Sequence, residues 1–134
     1  MFCIDASVII SAAHDTEIYS EASQEFLSRL REEKLKAFLP ELVMPEIASG
    51  LLRATKNVKF AYEFVDSLRA IPNFAFVPLD RTLSDAAVNV IIATGLKGAD
   101  AVYVALALNY NLTLVTLDKD QLLRSRNLIA VRKP

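Results

Sequence analysis

The chain has 134 residues, 53% of them hydrophobic and 23% charged, with three glycines and five prolines. That length and balance suit one ordinary domain with a sizeable core, residues 1–134, and exclude a disordered or low-complexity chain. Fifteen basic against sixteen acidic residues leave a net charge of −1, which excludes a protein that coats nucleic acid through overall basicity but leaves room for a local basic rim.

The first segment, Met1-Phe2-Cys3-Ile4, is a short apolar run that ends on Asp5, Ala6 and Ser7. It reads as a buried strand, too short for a helix. Val8-Ile9-Ile10 then turns into a short helix with Ser7 near its start. His14-Asp15-Thr16-Glu17 breaks the pattern. A second helix is expected from about Ser20 to Glu33, with Ala22, Phe26, Leu27 and Leu30 on one stripe. Lys36-Ala37-Phe38-Leu39 is a strand stopped by Pro40. Apolar residues at 43, 44, 47, 48, 51 and 52 have helical spacing, and Pro45 within them marks either the helix start or a kink.

A further helix is expected over Val58 to Ala70, with Val58, Ala61, Tyr62, Val65 and Leu68 inward. Phe60 and Phe64 fall partly outside that stripe, an apolar excess suited to a partner surface or to extra core contact. Phe74-Ala75-Phe76-Val77 is the third strand, followed by a helix from Arg81 to Ala93 that turns Leu83, Ala86, Ala87, Val90 and Ile91 inward. Ala99 to Leu108 is apolar almost all round and reads as a buried helix around Asp100. Thr113 to Thr116 is the fourth strand. A short helix to Arg124 and a last strand over Leu128 to Val131 complete the chain. Strands alternating with helices, without hairpin signals, predict an α/β fold with a parallel sheet.

The single cysteine, Cys3, lies inside the first strand and reads as packing. With no disulfide framework, no secretory leader and no apolar run near the roughly 20 residues of a membrane span, the expectation is a cytoplasmic protein without membrane association.

In a parallel sheet the carboxyl ends of the strands border the ligand crevice. Asp5 lies at the end of strand one, Asp118 just past strand four, Asp100 in the first turn of the buried helix, and Glu46 near the start of another. All of these can reach one sheet edge. Each also has a plainer reading as a helix cap or a dipole partner. Clustered carboxylates repel one another and raise each other's pKa, a penalty that a hard divalent cation removes. Such a cation activates water for phosphodiester hydrolysis. His14, the only histidine, lies in a polar loop and supplies no evident base.

Four segments, Phe2 to Ser7, Pro45 to Ala48, Ala99 to Ala107 and Leu114 to Asp120, together resemble the PIN-domain nucleases, in particular the VapC-type toxins of toxin–antitoxin pairs. The resemblance implies a three-layer α/β/α sandwich with a parallel sheet of about five strands, and a ribonuclease dependent on Mg²⁺ or Mn²⁺. Asp5, Glu46 and Asp100 match the family's core metal-binding acids; Asp118 matches a more variable fourth, with Asp120 as its alternative. Ser7 and Thr116 match supporting hydroxyl positions. The resemblance further implies a homodimer, an RNA substrate and a cognate antitoxin. RNA phosphates need cationic contacts; Arg53, Lys56, Lys97, Lys119 and Arg124 are the candidates, and no aromatic cluster marks a base preference.

Two other classes compete. A receiver-like signalling module would use Asp80, after the third strand, as phosphoacceptor, but Asp5 stands alone after its strand and Thr116-Leu117-Asp118 lacks the lysine such modules want. A PIN-like domain that binds RNA or a partner without cutting is the other alternative, and the acids it would have no use for are present.

Overall fold

A computed structural model describes residues 1–134. In chain order the elements are β1 (Phe2–Ile4), α1 (Ala6–Ala13), α2 (Ser20–Glu32), β2 (Ala37–Pro40), α3 (Val43–Thr55), α4 (Val58–Leu68), β3 (Phe74–Val77), α5 (Arg81–Thr94), α6 (Gly98–Tyr110), β4 (Thr113–Val115), α7 (Lys119–Arg124) and β5 (Val131–Arg132). The five strands form one sheet in the order β3-β2-β1-β4-β5, parallel throughout. Cys3 is in register with Phe38 on one side and Leu114 on the other, so β1 sits at the centre.

The strand order fixes the layers. From β1 the chain steps outward through β2 to β3, then returns past β1 to place β4 on its other side. Right-handed crossovers therefore put α1–α4 on one face and α5–α6 on the other. The expected three-layer α/β sandwich is what forms. Alternation along β1 serves both faces: Phe2 meets Phe26 of α2 edge to face at 5.5 Å, while the Cys3 thiol points to the Tyr103 carbonyl of α6. Cys3 is fully buried packing, as expected. In α6 the run Ala101 to Ala107 is buried without a break, which explains its lack of an apolar stripe.

Several boundaries differ from the sequence expectation, each for a physical reason. Pro40 is the last residue of β2, aligned with Val77, rather than the residue that stops it. Pro45 does not start α3, which begins at Val43. It is the third helical residue, within the first turn, where a backbone N–H has no intrahelical partner to lose. In α4 the expected inward residues Val58 and Tyr62 are 72% and 77% exposed, while Phe60 and Phe64 pack against the core. The inward stripe is thus rotated toward the two phenylalanines. The last strand is only Val131–Arg132, because Ser125 to Ile129 form a turn bonded back to the Ser125 carbonyl.

Two glycines matter for position. Gly50 of α3 faces Ile10 of α1 so closely that a Cβ would collide with that side chain. The contact draws α3, and Glu46 with it, against the helix that follows Asp5. Gly95 ends α5 in the left-handed region, with φ of 69°. No single helix is long and apolar enough to cross a membrane; α5 and α6 reach that length only as a pair, bent by 107°.

Candidate active site

The direction of the crossovers reverses on either side of β1, so the sheet has a switch point between β1 and β4, where open α/β sheets hold their ligands at the carboxyl ends. Asp5 directly follows β1, and Asp118 is three residues beyond β4. Glu46 arrives from the first turn of α3 and Asp100 from the first turn of α6. All four acids, with Ser7 and Arg53, line one cleft of about 690 Å³.

Asp5 is the most enclosed of them, 6% exposed. It caps α1, its Oδ2 accepting from the Ser7 backbone N–H at 3.0 Å and also from the Ser7 hydroxyl. Thr116 Oγ1 donates to the same oxygen at 3.2 Å, and Gln121 Nε2 donates to Oδ1 at 3.2 Å. The two hydroxyls also bind the neighbouring chain: Ser7 Oγ accepts from the Leu117 N–H at 3.0 Å and Thr116 Oγ1 from that of Asp118 at 2.9 Å. Ser7 and Thr116 thereby lock the exits of β1 and β4 to one another around the Asp5 carboxylate.

Burial raises the pKa of Asp5, against the lowering effect of those hydrogen bonds. Glu46 is raised by burial, then by Asp5 and Asp100; the phenol of Tyr103, which donates to Oε2 at 2.5 Å, opposes the rise. Tyr103 is fully buried, and that burial with the surrounding acids pushes its own hydroxyl far above the usual phenol range. It fixes the direction of a carboxylate that Pro45 alone left open. Asp100 is raised by burial, then by Asp118 and Asp5, with Gln121 and Lys97 pulling the other way. Glu46 and Asp100 are thus made harder to ionise by the acids beside them.

Asp118 is also the cap of α7, accepting from the Gln121 N–H at 2.8 Å. Asp118 and Asp5 are thus both helix caps and cleft-lining acids. Asp120 does not join the cleft. It faces outward and pairs with Arg124 at 3.6 Å, whereas Asp118 lines the cleft.

The candidate cations separate as well. Arg53 lines the cleft, and Lys97 precedes α6 close enough to act on Asp100. Lys56 is the left-handed residue that ends α3, at the opposite end of that helix from Glu46. Lys119 lies outside the cleft, beside Tyr19. Arg124 is engaged by Asp120 and by the Thr94 carbonyl. His14 bonds only to Thr16 in its exposed loop.

Two residues of the site escaped the sequence reading. Tyr103 was hidden in an apolar helix, although its polar tip three residues after Asp100 puts it on the same face. Gln121 was hidden in a helix end. Its spacing from Asp118 is that of a capping box, and that spacing was the available signal.

A family model for the PIN domain matches residues 2–126. The chain belongs to the PIN-domain family. Solved structures agree on the fold: VapC20 of Mycobacterium tuberculosis, a sarcin–ricin-loop-cleaving toxin, has a TM-score of 0.79 at 14% identity, covering 100% of both chains. VapBC2 of Rickettsia felis, bound to a DNA fragment from its promoter, gives 0.73 at 15%, covering 99% of this chain and 98% of that one. A toxin–antitoxin complex from Klebsiella pneumoniae gives 0.65 at 17%, covering 90% and 89%. No curated protein matches the chain.

In this PIN domain the donor set is all oxygen, with no thiol or imidazole in the cleft, which is the chemistry of Mg²⁺ and Mn²⁺ rather than of softer metals. No three acids converge tightly enough to enclose an ion by themselves.

Proposed function

We propose that this protein is a ribonuclease dependent on Mg²⁺ or Mn²⁺, the toxin of a toxin–antitoxin pair, built as one domain over residues 1–134. The observation that carries the reading is that Asp5, Glu46, Asp100 and Asp118 line one cleft at the β1–β4 switch point with no ion pair among them, Asp5 pushing up the pKa of both Glu46 and Asp100. Asp5, Glu46 and Asp100 would hold the ion, with Asp118 as the fourth acid. A bound divalent ion supplies an activated water and neutralises charge on the scissile phosphate.

The chain's own residues do the rest. Ser7 and Thr116 aim Asp5, and Tyr103 aims Glu46. Arg53 brings positive charge to the cleft wall for the RNA backbone. Past Arg53 the cleft continues into a groove of about 510 Å³ that reaches Tyr19. The Lys133 ammonium sits over the Tyr19 ring at 4.5 Å and Lys119 acts on it as well, so the groove offers an extended strand both charge and an aromatic face. Of the cations read from the sequence, Arg53, Lys97 and Lys119 keep a place in this account; Lys56 does not.

The partners follow from the relatives rather than from a contact in this chain. Structural neighbours include toxin–antitoxin complexes, and on that basis the reading includes a cognate antitoxin; the homodimer and the cytoplasmic setting rest only on the sequence expectation. The receiver-like alternative loses its basis. The sheet runs 3-2-1-4-5, not the 2-1-3-4-5 order of that class, and Asp80 lies at the edge strand with its carboxylate capping α5.

The test is cleavage of a mixed RNA by purified protein in Mg²⁺ or Mn²⁺. Activity is expected to stop with a chelator and to be lost in Asp5→Asn and in Asp100→Asn. Cleavage that survives in both variants would refute the assignment.

A further inference from the structure

Gln121 is fully buried, yet nothing about packing asks for an amide there. Its Nε2 donates to Asp5 Oδ1 at 3.2 Å and to Asp100 Oδ1 at 3.4 Å, while its Oε1 is buried without a partner. An ionised carboxylate only accepts hydrogen bonds, and a side-chain amide has two N–H donors. One donor for each acid is the arrangement that uses both. The unpaired Oε1 is an unfavourable feature in a dry site, so the amide's gain lies at its Nε2 end.

Placement reinforces this. The backbone N–H of Gln121 is bonded to Asp118 Oδ1 at 2.8 Å, and its carbonyl accepts from the Ser125 hydroxyl at 2.6 Å. The residue is therefore anchored at its main chain by one cleft acid while its side chain reaches two others. Asp5, Asp100 and Asp118 come from β1, α6 and the β4 exit, three elements distant in sequence. Gln121 is the residue that touches all three acids, Asp118 through its backbone N–H and Asp5 and Asp100 through its side chain.

We propose that Gln121 is a positioning residue of the cleft, holding the Asp5 and Asp100 carboxylates at a spacing suited to a divalent cation. The proposal rests on the cation-dependent reading above. Two carboxylates that repel one another in a metal-free site would otherwise swing apart. The shared amide keeps them facing the same space, so less reorganisation is needed when an ion enters. Orienting partners of this kind set metal affinity over roughly 10–100-fold.

The experiment is a calorimetric Mn²⁺ titration of the intact chain as wild type, Gln121→Met and Asp5→Asn. Methionine matches the length and volume of glutamine without its donors. The expected result is Mn²⁺ binding weakened about 10–100-fold in Gln121→Met, with RNA cleavage recovering as Mn²⁺ is raised. Affinity equal to wild type in a folded Gln121→Met overturns the proposal. Should that variant not fold, the side-chain NH₂ resonances of Gln121 in the wild-type protein give the answer. They are expected to shift on Mg²⁺ addition with the midpoint of ion binding; resonances unmoved at saturating Mg²⁺ overturn it. If Asp5→Asn binds Mn²⁺ as wild type does, the cation reading itself fails. If Asp5→Asn loses the ion while Gln121→Met keeps it, only the role of Gln121 fails.

Discussion

Four of the five strands in this sheet end on or near an acid, and those acids have different fates. At the β2 exit Glu41 meets Arg69 in a two-pronged contact at 3.0 and 2.8 Å, which lowers its pKa. At the β3 exit Asp80 accepts from the Leu83 N–H at 2.9 Å and does no more than cap α5. At the β1 exit Asp5 caps a helix as well, but it is buried, touched by Ser7, Thr116 and Gln121, and raised in pKa. Asp5 and Asp80 are the same residue type after the same kind of strand. What separates them is position in the sheet. β3 is an edge, while β1 adjoins the switch point, where α3 and α6 each deliver another acid. Glu41 has a cation and Asp80 only a cap; the cleft acids share one space without an ion pair.

The largest effect should come from removing a cleft acid. Asp5→Asn keeps the cap, since asparagine also caps helices, yet RNA cleavage should fall by more than the roughly 10–100-fold that loss of an outer partner costs. Asp80→Asn should leave cleavage within about twofold, as expected for a surface cap outside the cleft. Equal losses in the two variants would erase the distinction between centre and edge.

Tyr103→Phe removes one hydroxyl and keeps the ring. Cleavage should fall about 10-fold or more, with Glu46 freed to swing, while the protein stays folded. Unchanged activity would mean that Glu46 is aimed by packing alone.

The pH dependence of the metal-free protein should come next. Asp5, Glu46 and Asp100 have folded pKa values raised above the unfolded ones, so the folded state holds more protons, and stability falls as pH rises through the raised values. Glu41, held down by Arg69, works in the opposite sense, and its contribution is lost only as pH falls below the ordinary carboxylate range. In chelator, thermal stability should therefore decline as pH rises through the window above the ordinary carboxylate range, the decline should shrink in Asp5→Asn, and Mn²⁺ should flatten it. A stability that rises across that window would contradict the electrostatics.

The smallest effect belongs to the edge. Asp80→Ala should lower stability by about 1 kcal/mol through loss of the cap, measured by denaturant unfolding, with no change in cleavage.

Much of this contrast was legible in the sequence, because it follows from pattern. Alternating apolar runs named the parallel sheet, and the acids were read at strand exits and helix starts. The choice between Asp118 and Asp120 was not legible, since both follow β4 and only the cap geometry of α7 turns one inward and the other toward Arg124. The orientation of α4 was misread because periodicity does not weigh the wholly apolar rings of Phe60 and Phe64 against a smaller Val58 and a Tyr62 that carries a hydroxyl. Gln121 and Tyr103 offered only their spacing from Asp118 and Asp100 as a signal, because their contacts span 116 residues from Gln121 to Asp5 and 57 from Tyr103 to Glu46.

The central claim concerns a place, the crevice at the β1–β4 exits, and anomalous diffraction from crystals grown in Mn²⁺ tests it most directly. The account predicts a Mn²⁺ peak within the cleft bounded by Asp5, Glu46, Asp100 and Asp118, absent in Asp5→Asn. A cleft without density at saturating Mn²⁺, or an ion found instead at the Asp80 edge, would contradict it.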